Sequence, residues 1–188
     1  MAKIIEHEMF SSVCNSSTDV LVDEAPYEYL NYDNYRNAFN SGHLLNKISS
    51  IYNKSVEIIM SMASDPDHGG KITISSLIET MVAFELERDG IMGITVSRGP
   101  KRTDLKDGWN RLWDVKAPPR VMGRFDANAA CKSILHKFSE FVKNNIGIFL
   151  CVSFMNPSDY LVLLNELSNS IDDSQKYHIR QINIEGVL

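Results

Sequence analysis

Asp114 and Lys116 stand two residues apart in Leu112-Trp113-Asp114-Val115-Lys116, within a run from Arg111 to Ala117 that reads as a β-strand. Side chains alternate between the two faces of a strand, so Asp114 and Lys116 share one face while Trp113 and Val115 turn to the other. The turn formers Asp107-Gly108-Trp109-Asn110 precede this run, and another short strand, Arg102 to Lys106, precedes them. If the loop is Gly108-Trp109-Asn110, Asp107 pairs with Arg111 and Asp104 falls opposite Asp114; a two-residue loop would put Thr103 there instead. Carboxylates so placed lie about 5 Å apart at Cβ and repel unless a proton or a cation separates them. Mg²⁺ is suited to that position, because it binds one or two carboxylates together with substrate phosphate. A metal on Asp104 and Asp114 can polarise a phosphodiester and activate a water. Lys116 can then orient or deprotonate that water and stabilise developing charge. By itself, however, an Asp-x-Lys pair on a strand is also an ordinary surface ion pair.

The surroundings suit a polyanion. The whole chain of 188 residues carries a net charge of −5, which taken alone argues against a nucleic-acid partner. The charge is unevenly distributed: residues 1–68 hold four basic side chains against ten acidic ones. Residues 98–124 hold Arg98, Lys101, Arg102, Lys106, Arg111, Lys116, Arg120 and Arg124 against only Asp104, Asp107 and Asp114, a local excess of five positive charges. Such a band either grips phosphates or is a solvated face. Trp109 at the hairpin tip can stack on a base or simply pack. Lys132 and Lys137, farther on, are additional candidates for gripping phosphate.

The flanking pattern supplies the elements that must hold these groups. The first forty residues show weak periodicity and suggest irregular structure or short helices. Apolar residues from Leu44 to Met60 recur at three- and four-residue steps, which predicts one amphipathic helix from about His43 to Met62. Ser64 to Gly70 reads as a loop; its Asp65, Asp67 and His68 suit turn chemistry and, less directly, a metal. Ser76 and Glu79 have capping-box spacing at the start of a second helix that ends near Asp89-Gly90. Strands are expected over residues 91–97 and in the hairpin, then a helix capped by Asp126. Ile146 to Met155 reads as a buried central strand, Pro157 opens a helix, and Tyr177 to Ile184 alternates as a last strand.

A helix bearing a glutamate, a strand, an Asp at the end of the next strand, hydrophobic-Asp-x-Lys on a third, a basic helix and a buried strand together resemble the PD-(D/E)XK nuclease superfamily. The resemblance covers about residues 74–155, plausibly to 184. It implies an α/β fold, with a restriction-endonuclease-like central mixed sheet flanked by helices as residues 71–188, and a mostly helical extension, residues 1–70, packed on it. It further implies Glu79, Asp104, Asp114 and Lys116 as catalytic residues, the three acids as ligands of Mg²⁺ or Mn²⁺, and DNA or RNA as substrate. Arg98, Lys101, Arg102, Lys106, Trp109, Arg120 and Arg124 would then form the nucleic-acid interface. Arg111 to Pro118 is most similar to nuclease domains of bacterial contact-dependent-inhibition and other polymorphic toxins, which implies an immunity protein as a further partner. Toxin, restriction or defence, and viral or repair roles all remain open. Thr103 stands where the superfamily often has proline. Glu79 also suits a helix cap, and Glu85 and Asp107 are alternative acids.

Composition fits a soluble globular chain of one domain, with no apolar run long enough to span a bilayer and no secretory signal at the start, so a cytoplasmic location is expected. Cys14, Cys131 and Cys151 are widely spaced and suggest free thiols. The competing function is a non-catalytic interaction protein on a degenerate nuclease fold, whose acidic surface meets a basic partner.

Overall fold

The computed structural model describes residues 30–90, 96–100, 102–141, 146–171 and 179–186. Among the described residues four α-helices come first: α1 (Tyr32–Asn40), α2 (Leu44–Tyr52), α3 (Val56–Ala63) and α4 (Ile74–Asp89). A meander of β1 (Ser97–Arg98), β2 (Leu105–Lys106) and β3 (Leu112–Lys116) follows, then α5 (Ala127–Phe141), β4 (Gly147–Cys151), α6 (Pro157–Ser168) and β5 (Ile179–Ile182). The five strands lie in chain order; β1, β2 and β3 are antiparallel, and β3, β4 and β5 are parallel. The crossovers from β3 to β4 and from β4 to β5 are the helices α5 and α6, as parallel neighbours require. The chain is thus α/β with a mixed sheet.

Strand alternation sorts the core into two layers. Trp113, Val115, Phe149, Cys151 and Ile182 join the apolar cluster built on α1 to α4, while Ile148, Leu150 and Ile179 join the one built on α5 and α6. Residues 30–63 therefore share a core with α4 and one sheet face. At the centre the Trp113 ring lies 4.4 Å from that of Phe149, over Gly147, its partner in the parallel register. A Cβ at residue 147 would meet the indole at 2.2 Å, so only glycine permits this approach.

Several elements differ from expectation. The helix expected from His43 to Met62 is two: Asn53 takes a left-handed conformation (φ 50°) to end α2, and Ser55 caps α3 by accepting from Ile58 N–H. Apolar periodicity runs through this break because both helices face the same core. The strand expected over Arg102–Lys106 is confined to Leu105–Lys106, since Arg102 has a positive φ of 73° that no strand accommodates. Of the strand expected over 91–97, only Ser97 lies in β1, and 91–95 fall outside the described residues. The last two strands are shorter than their apolar runs, ending at Cys151 and Ile182. Among the described residues no helix is long and apolar enough to cross a membrane. Cys131 and Cys151 are buried free thiols, and Cys14 lies outside the described residues.

Candidate active site

The β2–β3 hairpin has the three-residue loop. Leu105 pairs with Trp113 and Lys106 with Leu112, and Asp107 N–H donates to Arg111 C=O. Asp107 is the anchor of this turn rather than a substitute metal ligand. Its carboxylate accepts from the Trp109 and Arg111 N–H groups, from Arg111 Nε at 2.7 Å and from Trp113 Nε1 at 3.0 Å. Burial alone would raise its pKa, but these bonds hold it below the usual carboxylate value.

The regular ladder stops at Leu105. Asp104 forms a bend, with its N–H donating to Trp113 C=O at 3.0 Å. Its Oδ2 then accepts Val115 N–H at 2.7 Å, the donor that a continuing ladder would have directed to the residue 103 carbonyl. Asp104 is thereby brought alongside Asp114 by its side chain and not by regular pairing. Thr103 does not take its place; its hydroxyl donates to Pro100 C=O.

Asp114 is almost fully buried on the α5 side of β3. Lys116 Nζ forms an ion pair with its Oδ2, and Lys137 Nζ of α5 lies 3.8 Å from its Oδ1. The Lys116 contact therefore supplies the counter-charge of a buried carboxylate oxygen.

Glu79 approaches from the opposite layer. Thr73, not Ser76, caps α4: Thr73 Oγ1 accepts Ser76 N–H while Ser76 Oγ accepts Thr73 N–H. The expected Ser76–Glu79 box is therefore displaced by one turn, and Glu79 has no capping duty. Its Oε2 instead accepts from Arg98 Nη1, and Arg98 Nη2 lies 3.6 Å from Asp65 Oδ1. The other glutamate considered, Glu85, is wholly buried on another face and accepts from Tyr52 OH, Arg88 and Glu185 N–H. Those contacts tie α2 and the C-terminal segment to α4.

Glu79, Asp104 and Asp114 interact electrostatically across this junction. Burial, then Glu79 and Asp114, raise Asp104 from 3.8 to about 7. Burial also raises Glu79, against the opposing pull of Arg98. Hard oxygen donors under mutual repulsion are a donor set that suits Mg²⁺ or Mn²⁺. Among the described residues no three His, Cys, Asp or Glu side chains already converge as a metal cage; Arg98 and Lys116 occupy the carboxylates.

Beside this cluster, between α4, the end of β3 and the start of α5, is a cleft of about 460 Å³. Glu79 and Lys116 line it; Asp104 and Asp114 do not. The expected interface residues divide. Arg98 is turned inward onto Glu79 and Asp65, a change from its expected surface role. Arg120 pairs with Asp159 at 2.6 Å. Arg102 and Arg124 are exposed, Lys106 is half-buried, and Trp109 is 57% exposed with Arg111 4.8 Å over its ring. Lys101 lies outside the described residues, and Lys132 is exposed on α5. Asp65, Asp67 and His68 satisfy one another and Arg102 N–H in a turn, with Asp65 capping it. The contribution of Lys137 had only its basic character as a signal, because its approach to Asp114 depends on the crossover helix. Compared with protein-family models, with curated proteins and with solved structures, the chain matches none.

Proposed function

We propose that this chain is a metal-dependent nuclease that hydrolyses phosphodiester bonds of DNA or RNA on a restriction-endonuclease-like core. The observation that carries the reading is the electrostatic coupling of Asp104, in the bend before β2, to Glu79 of α4 and Asp114 of β3. The order of a glutamate-bearing helix, a hairpin contributing both Asp residues, the Asp-x-Lys strand, a crossover helix and a buried parallel strand supports it. Asp104 and Asp114 would hold Mg²⁺ or Mn²⁺, with Glu79 joining when Arg98 releases it. Such an ion supplies Lewis acidity toward a phosphoryl oxygen and a bound water of lowered pKa. Lys116, which lines the cleft beside Asp114, would orient the attacking water and stabilise negative charge developing on the phosphoryl oxygens. Lys137 balances Asp114 from the other side. If the role is that of a toxin, an immunity protein covering this cleft is the natural partner.

Asp114→Asn and Lys116→Ala should each reduce cleavage of DNA or RNA in Mg²⁺ by at least about 100-fold, with circular dichroism unchanged. Calorimetry should show Mn²⁺ binding by the wild type and none by Asp114→Asn. Full activity in both variants, or no Mn²⁺ binding by the wild type, would overturn the reading. The internal pairs Arg98–Glu79 and Lys116–Asp114 favour the second reading in that event, a non-catalytic interaction protein whose charges are satisfied within the fold.

A further inference from the structure

The cleft beside the carboxylates has more apolar lining than a phosphate groove needs. Tyr32 and Phe125 put aromatic rings on its walls, and Pro118 and Pro119 add two saturated rings. Ser133, exposed on α5, also lines it. Its volume of about 460 Å³ falls in the range of small-molecule pockets and is too confined for a duplex.

The walls are braced from behind. The Tyr32 ring meets that of Phe154 edge-on at 5.6 Å, and Arg120 N–H, directly after Pro119, donates to Phe154 C=O at 3.1 Å. Asp33 Oδ2, next to Tyr32, accepts Met122 N–H at 2.8 Å, fastening α1 to the segment after the prolines. The Arg120–Asp159 pair fixes the same segment to α6. An apolar slot supported in this way is pre-shaped, not a gap between loosely packed loops.

Its floor is continuous with the candidate active site. Val115 lines the cleft and donates its N–H to Asp104; Lys116 lines it and pairs with Asp114. A phosphodiester held at Lys116 therefore has an adjoining nucleoside facing the cleft. We infer that the cleft is a subsite for one unpaired nucleobase next to the scissile phosphate, which makes single-stranded nucleic acid, or a nucleotide extruded from a duplex, the substrate class. The inference rests on the nuclease reading for the position of the phosphate. Stacking against aromatic and apolar side chains is the usual way a base is held once it leaves the helix, and it tolerates any base sequence.

The test separates the two claims by measuring binding without metal. A single-stranded DNA oligonucleotide carrying one 2-aminopurine is titrated with the full chain in EDTA and compared with the same oligonucleotide annealed to its complement. The single strand should bind at least about ten-fold more tightly, with a change in 2-aminopurine fluorescence. Ser133→Trp, at an exposed position of α5, fills the cleft and should remove both preference and fluorescence change; its circular dichroism and thermal midpoint establish that it folds. Tyr32→Leu, which keeps apolar bulk without the ring, should weaken the single strand alone. Equal binding of both forms, or wild-type binding by Ser133→Trp, overturns the subsite. Cleavage in Mg²⁺ with equal binding of both forms would leave the nuclease reading standing without the subsite, whereas single-strand preference without cleavage would retain the subsite and remove the nuclease.

Discussion

Asp104 and Asp107 are three residues apart and are pushed in opposite directions. Asp107 collects four hydrogen bonds and its pKa falls; Asp104 receives one from Val115, is half-buried and coupled to two other acids, and rises to about 7. The stability that Asp107 contributes is present above its unfolded pKa and is lost as pH falls through its lower folded value, so its pH dependence is confined to acid. Asp104 acts with the opposite sign: its protonated form suits the fold, and stability is lost as pH rises from about 4 through about 7. Asp104→Asn should therefore match the wild type near pH 4 and exceed it increasingly up to about pH 8, by as much as about 4 kcal/mol, in urea titrations. Saturating Mg²⁺ should narrow that gap by stabilising the wild type alone. A pH-independent difference would mean that Asp104 is ionised without penalty. The role of Asp107 was legible because an Asp opening a Gly-Trp-Asn turn has a local use for its carboxylate. The raised Asp104 was not, since Glu79 is far away in the chain and Thr73 had to take over the helix cap before Glu79 was available.

At the scale of elements, alternation revealed the parity of β3, which is fixed by neighbours in sequence, but left the hairpin loop open between two and three residues, because both lengths suit the same turn formers. The break between α2 and α3 was hidden, because Asn53 is only one of many polar residues that tolerate left-handed backbone. The bend at Asp104 was hidden too, since a side chain replaces a backbone acceptor there. Gly147 had no visible signature beyond being a glycine in an apolar run, yet it decides how β3 and β4 approach. Gly147→Ala places a methyl against the Trp113 indole and should cost about 1–3 kcal/mol in urea unfolding, because the ring is wedged between Phe149 and the Asp107 bond and must shift. Thr73→Ala should cost about 1 kcal/mol by removing the cap, whereas a cap at Ser76 would make that substitution nearly silent.

On the scale of the molecule the basic band is less positive than its sequence. Arg98 is spent on Glu79 and Asp65, Arg111 on Asp107, Lys116 on Asp114 and Arg120 on Asp159. Only Arg102, Lys106 and Arg124 of the described band residues make no ion pair, and they lie around the hairpin and the segment after the prolines. Sequence reading overestimated the interface because it counted charges without their partners, and three of those five partners, Asp65, Glu79 and Asp159, lie outside the band. The difference has a measurable consequence. Each phosphate neutralised on a single strand contributes about −0.7 to the slope of log K against log salt. The three unpaired cations among the described residues give a slope of about −2, or about −3 with Lys101 added, while all eight basic residues of the band would give about −5 to −6. Titrating a single-stranded oligonucleotide in EDTA at several salt concentrations should therefore return the shallow slope, with most of the binding energy insensitive to salt because it comes from a stacked base. Arg124→Ala should remove about one such unit. A steep slope would show that the internal ion pairs open on binding, and would return Arg98 and Arg120 to the nucleic-acid interface.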